Sequence, residues 1–111
     1  MQKIKDTYSL WYSYYNILPR PHRYSLGTKI DQIFIEIIEA TSIAIFLKQE
    51  EKYPHIISAI RKIDVSKILL MVLWETKSLD NKKYIALSTK IEEIGKILGG
   101  WKGQILKTKL P

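Results

Sequence analysis

SLGTKIDQIFIEIIEATSIAIFLKQEEK, residues 25–52, decides the fold class. Leu26, Ile30, Ile33, Phe34, Ile37, Ile38, Thr41 and Ile45 recur at three- and four-residue spacing, so at ~100° per residue they form one broad apolar face of a helix. Ile35 and Phe46 fall together on a second face. A helix with two apolar stripes has two things to bury against, a bundle core and a subunit interface. Ile35 and Phe46 are the residues expected at that interface. Ser25 suits the N-cap, and the pattern predicts a helix from about Ser25 to Lys52.

The same periodicity continues on both sides, and strand-like alternation is nowhere sustained. A first helix is expected from about Asp6 to Leu18, with Ile4, Tyr8, Trp11, Tyr15 and Leu18 on one stripe. Pro19 and Pro21 end it, because proline lacks the amide donor and moves its predecessor out of helical geometry. A third helix is expected to start at Pro54, which suits a first turn, and to reach about Leu79. Its Ile68–Trp74 run is apolar all round and so is expected to be enclosed on several sides. A fourth opens where Asp80 or Asn81 can cap and runs to about Gly99, with Tyr84, Leu87, Ile91, Ile94 and Leu98 on its inner stripe. Trp101 is expected to fold back onto the bundle, with a basic, partly disordered tail from about residue 102 to 111.

Four helices joined by short breaks predict an all-α, antiparallel up-down-up-down four-helix bundle. At 111 residues and 13.0 kDa, residues 1–111 are read as a single domain. With no cysteine, disulfides, thiolate metal sites and cysteine nucleophiles are excluded. The first residues lack the apolar stretch of a signal peptide, and Ile68–Trp74 is far short of the ~20 residues that span a bilayer. The expectation is a cytoplasmic protein with no membrane partner.

The charge is uneven. Of a net +7, residues 80–111 carry +4 and the short 19–24 turn +2, whereas residues 25–53 are at −2. Such an excess favours an anionic partner. The residues expected to meet it are Arg20, Arg23 and Lys29 around the proline turn, Arg61, Lys62 and Lys67 on the third helix, and Lys82, Lys83 and Lys90 on the fourth. Neutralising phosphates requires several charges on one side of a particle and no particular spacing. The turn is also a connector, in which Gly27 permits close approach and the arginines pair with acids such as Asp31 or Glu36.

Enzymatic readings find little support. A di-iron bundle needs Glu-x-x-His pairs, and the residues three before His22 and His55 are Pro19 and Lys52. Glu36 and Glu39 read as a solvated face. No nucleophile and base are singled out, and no cofactor, metal or catalytic residue is expected.

Two stretches, LPRPHRYSLGTKI (residues 18–30) and IGKILGGWKG (residues 94–103), together with YSLW at residues 8–11, resemble the Avd family, the accessory variability determinants of diversity-generating retroelements. That family belongs to the group of four-helix-bundle and 23S rRNA intervening-sequence proteins. The intervening-sequence branch carries a turn of serine, proline and asparagine early in its second helix. IDQIFIEIIEATSIAIF (residues 30–46) has none, which favours the Avd branch. The resemblance implies a homopentameric barrel with a basic exterior that binds a reverse transcriptase and RNA or DNA, supports mutagenic reverse transcription and retrohoming, and has no catalytic activity. Carried onto this chain, the turn motif maps to Pro19, Arg20, Arg23 and Gly27, and the tryptophan motif to Gly99, Gly100 and Trp101. Pro21 departs from the small or polar residue expected there and stiffens the turn. The alternative function is an oligomeric protein-interaction scaffold that binds an acidic partner and no nucleic acid.

Overall fold

The computed structural model describes residues 1–109, as four long helices and one short turn of helix. They are α1 (Gln2–Tyr15), α2 (Arg20–Arg23), α3 (Leu26–Phe46), α4 (Gln49–Glu75) and α5 (Asn81–Lys109). Helix α1 packs on α3 and α5, α3 on α4, and α4 on α5, which closes a ring of four. Paired positions run in opposite directions along three neighbouring couples: Tyr8 meets Asp31 while Tyr15 meets Thr28, Trp74 meets Tyr84 while Gln49 meets Thr108, and Lys3 meets Glu93 while Lys83 meets Tyr14. The result is an up-down-up-down bundle measuring 52 × 20 × 20 Å.

The core follows the apolar stripes. Ile30, Ile37, Ile56, Ala59, Leu73, Leu87, Ile91 and Ile105 have no exposed surface. Trp11 is also fully buried, with its ring stacked on Tyr15 at 5.6 Å and tilted against Phe34 at 5.8 Å. Losing a packed aromatic of this kind costs ~3–5 kcal/mol. The buried hydroxyls of Thr7, Thr41 and Ser66 each donate to a carbonyl three or four residues back, so no polar group there is left unpaired.

Several boundaries differ from the sequence reading. The second helix ends at Phe46, not Lys52, because Leu47 and Lys48 are extended. Helix α4 then starts at Gln49, with Glu50 and Glu51 in its first turn, where carboxylates favour a helix N-terminus. Pro54 and His55 therefore lie inside α4 and do not start it. That helix stops at Glu75 in a Schellman cap: Ser78 N–H donates to Leu73 O at 2.8 Å and Lys77 N–H to Trp74 O at 3.0 Å. Lys77 takes the left-handed position, φ 67°, that glycine usually fills.

Asp80 caps α5 by accepting Lys83 N–H at 2.8 Å. The helix does not stop near Gly99 but continues to Lys109, so the part of the expected tail between Lys102 and Lys109 is ordered. Leu98, Trp101 and Ile105 keep the helical spacing, and the complete burial of Ile105 outweighs the cost of the glycines at 99, 100 and 103. Leu110 and Pro111 of that tail lie outside the described residues. Nor is Ile68–Trp74 enclosed on several sides, as expected of a run apolar all round; one flank stays open. Leu70 and Leu73 are buried, whereas Ile68 is 57% exposed and Met71, Val72 and Trp74 stay open on the outer flank.

Gly27 is where α2 meets α3. A Cβ there would sit 2.9 Å from His22 O and 3.1 Å from the Leu18 side chain. Since the first neighbour is backbone, Gly27→Ala is expected to destabilise the fold by ~1–3 kcal/mol, read as a lower midpoint in chemical denaturation.

Asp31 ties α1 to α3 by accepting from Tyr8 Oη at 2.8 Å and Trp11 Nε1 at 3.1 Å. Burial, and then the hydrogen bond to Asp31, push the Tyr8 phenol from 10.0 up to about 12. The folded value exceeds the unfolded one, so this contribution to stability is complete below pH ~10 and is lost as pH rises toward 12. Alkaline titration by tyrosinate absorbance is expected to show the Tyr8 phenol ionising late, and Asp31→Asn to shorten the delay without abolishing it, because burial remains.

Candidate nucleic-acid interface

The proline turn is built before it is charged. Pro19 is extended (φ −54°, ψ 142°), and its carbonyl accepts both His22 N–H and Arg23 N–H at 3.0 Å, closing α2. Ser25 Oγ donates back to Pro21 O at 2.8 Å, and Thr28 Oγ1 to Arg23 O at 3.0 Å. Ser25 thus braces the turn and makes no side-chain cap for α3. His22 Nδ1 meets Ser78 Oγ, which clamps the turn to the connection between α4 and α5.

The two arginines have different fates. Arg20 is exposed, while Arg23 is half-buried and donates Nη2 to Leu18 O at 3.1 Å. Its Nε is buried and has no partner among the described residues. Neither arginine pairs with the expected acids, because Asp31 is taken by Tyr8 and Trp11 and Glu36 pairs with Lys62 at 4.0 Å.

One end of the rod gathers Arg20, Arg23, Lys29, Lys82 and Lys83, since α2 and the start of α3 lie beside the α4–α5 connection. Lys29 and Lys82 are exposed, and Lys83 holds its Nζ 5.8 Å from the centre of the Tyr14 ring. Lys90 lies two turns further along α5 and is half-buried. Arg61, Lys62 and Lys67 sit apart, on the middle of α4. Arg61 is exposed there, but Lys67 is 3.0 Å from Glu92 and 3.9 Å from Asp64, so with Lys62 it is partly neutralised. Of the nine expected cations, five therefore gather at one end, three lie on a separate flank where Lys62 and Lys67 are paired with acids, and Lys90 lies between.

Three residues at that end were missed by sequence reasoning. Lys77 sits in the break between helices and was hidden by the reading of a helix to Leu79. Trp74 belongs to the run expected to be enclosed, and its exposure depends on where α4 terminates. Asn81 was considered only as a cap, whereas its Oδ1 accepts the Trp74 indole N–H at 2.6 Å.

The expected interface pair divides as well. Phe46 is 87% exposed, and Ile35 is half-buried. On α4, Val65, Ile68 and Val72 form a further exposed apolar strip at three- and four-residue spacing. Trp101 does pack onto the core, under the Lys52 ammonium 5.2 Å from its ring centre.

A groove of about 320 Å³ runs beneath the start of α1, lined by Ile4, Thr41, Ile45, Ile94, Leu98 and Trp101 among others. No histidine or carboxylate reaches it. Among the described residues no cluster of histidine, cysteine, aspartate or glutamate could hold a metal, and no helix is long and apolar enough to cross a membrane.

This is a small helical-bundle protein with a basic end and exposed apolar flanks. The family model described as bAvd-like matches residues 1–105, and the chain belongs to that family. The resemblance carried by the proline turn and the tryptophan motif therefore holds over nearly the whole chain, and it supports an accessory protein of the retroelement kind. No curated protein and no solved structure matches the chain.

Because Arg23 supports the turn and Arg20 does not, Arg23→Ala is expected to cost ~1–2 kcal/mol of stability, whereas Arg20→Ala leaves the thermal midpoint unchanged. Differential scanning calorimetry separates the two.

Proposed function

We propose that the chain is a non-enzymatic accessory subunit of a diversity-generating retroelement. It assembles as a homopentamer, binds the reverse transcriptase together with RNA or DNA, and so supports mutagenic reverse transcription and retrohoming in the cytoplasm. The observation that carries this reading is family membership across residues 1–105.

Two surface features support it. The end bearing Arg20, Lys29, Lys77 and Lys82 is exposed, and a ring would repeat it in every subunit, raising avidity for a polyanion without base-specific contacts. The open α4 strip of Val65, Ile68 and Val72, with Phe46 on α3, supplies apolar surface for self-association. The same strip also favours the interaction scaffold, in which a protein partner takes the place of nucleic acid.

Light scattering on chromatographed protein tests assembly, with nucleic-acid absorbance followed at low and high salt. A five-subunit mass with nucleic acid that high salt strips away is the expected result, and Ile68→Asp with Val72→Asp is expected to reduce the mass to that of one chain. A pentamer free of nucleic acid at low salt would favour the scaffold, and a wild-type monomer would remove the ring.

A further inference from the structure

At the basic end one aromatic ring is held rigid and left open. Trp74 stacks on Tyr84 with centroids 5.0 Å apart and planes at 11°, and its indole N–H is fixed on Asn81 Oδ1 at 2.6 Å. The residue is nevertheless 38% exposed. A core tryptophan would not keep that surface, and a free surface tryptophan would not have both restraints.

The ring borders a pocket of about 290 Å³ whose other walls are Lys77, Leu79, Asp80 and Asn81. That volume lies at the lower limit of ~300–1,000 Å³ typical of small-molecule sites, so it suits a single ring system. Lys77 is held at the pocket by the Schellman cap, in the left-handed conformation. Lys82, one residue beyond Asn81, is exposed. Two acids are nearby, Glu75 and Asp80, but one oxygen of Asp80 is committed to Lys83 N–H.

A stacked aromatic with an open face beside lysines is the arrangement that binds single-stranded nucleic acid: the π-face takes an unpaired base and the ammoniums take its phosphates. A duplex offers its phosphates but keeps its base faces stacked. We propose that Trp74 is a stacking platform for an unpaired nucleobase of RNA or DNA, with Lys77 and Lys82 meeting the adjoining phosphates. The inference rests on the nucleic-acid reading above and adds to it a preference for single strands over duplex.

The test measures fluorescence anisotropy of a labelled single-stranded oligouridine, and of a labelled RNA duplex with the same number of phosphates, against the full chain in its native assembly. Trp74→Leu keeps apolar contact with Tyr84 but removes the π-face, and Trp74→Phe keeps a ring. Circular dichroism establishes that both variants fold. The proposal expects Trp74→Leu to weaken single-strand binding about tenfold, with an unaltered salt slope and unaltered duplex binding, and Trp74→Phe to restore most of the loss. Lys82→Ala should weaken both probes and lower the salt slope. Single-strand affinity unchanged in Trp74→Leu, or equal losses on both probes, would overturn the platform while leaving the nucleic-acid reading standing. Failure of the wild-type protein to bind either probe at low salt would overturn both.

Discussion

The fold turns on one carboxylate. Helix α1 has 14 residues against 27 in α4 and 29 in α5, so it has the least surface with which to hold its place in the ring. Asp31 compensates by accepting from two rings of α1 at once, Tyr8 and Trp11. With Trp11 fixed and fully buried, the chain leaves α1 in a set direction. Leu18 is then buried, Pro19 turns the backbone, and Gly27 lets α2 lie against α3. The position of the basic turn is thus a consequence of core packing, transmitted through His22 to the opposite connection at Ser78.

Charge is organised by the same geometry. Cations in the middle of the rod meet acids on neighbouring helices, as Lys62 meets Glu36 and Lys67 meets Glu92. Such half-exposed pairs add little stability, ~0–1 kcal/mol each, but they cancel field. At the end of the rod the connections bring cations from three parts of the chain together: Arg20 from α2, Lys29 from α3, and Lys77 with Lys82 beside α5. Glu75 and Asp80 only partly offset them. A polyanion meeting this end therefore finds several cations close together, and association of several copies would multiply their effect.

Much of this was legible in the sequence, because apolar periodicity reports which face of a helix is buried. Ile30, Ile33, Phe34 and Ile37 are core in both readings, Asp80 is the α5 cap, and Gly27 marks a close approach. What escaped was set by tertiary packing. Pro54 resembled a helix start, yet the earlier break at Leu47 and the acidic turn after it began α4 five residues sooner. The glycines at 99, 100 and 103 resembled a helix end, yet the buried Ile105 carried α5 past them. Arg23 is expected to pair with Asp31 or Glu36 and Lys67 to meet an anionic partner, and only the fold supplies the Leu18 carbonyl and the Glu92 carboxylate that occupy them. The candidate site was legible as a composition and not as a place, since the exposure of Trp74 depends on a Schellman cap with lysine in the glycine position.

The central claim is that a clustered basic surface binds nucleic acid through its phosphates. Its most direct test is the affinity of the wild-type protein for RNA across a salt series. The account predicts that the logarithm of the association constant falls linearly with the logarithm of salt concentration, at a slope corresponding to several neutralised phosphates. Absence of binding at low salt, or an affinity indifferent to salt, would contradict it.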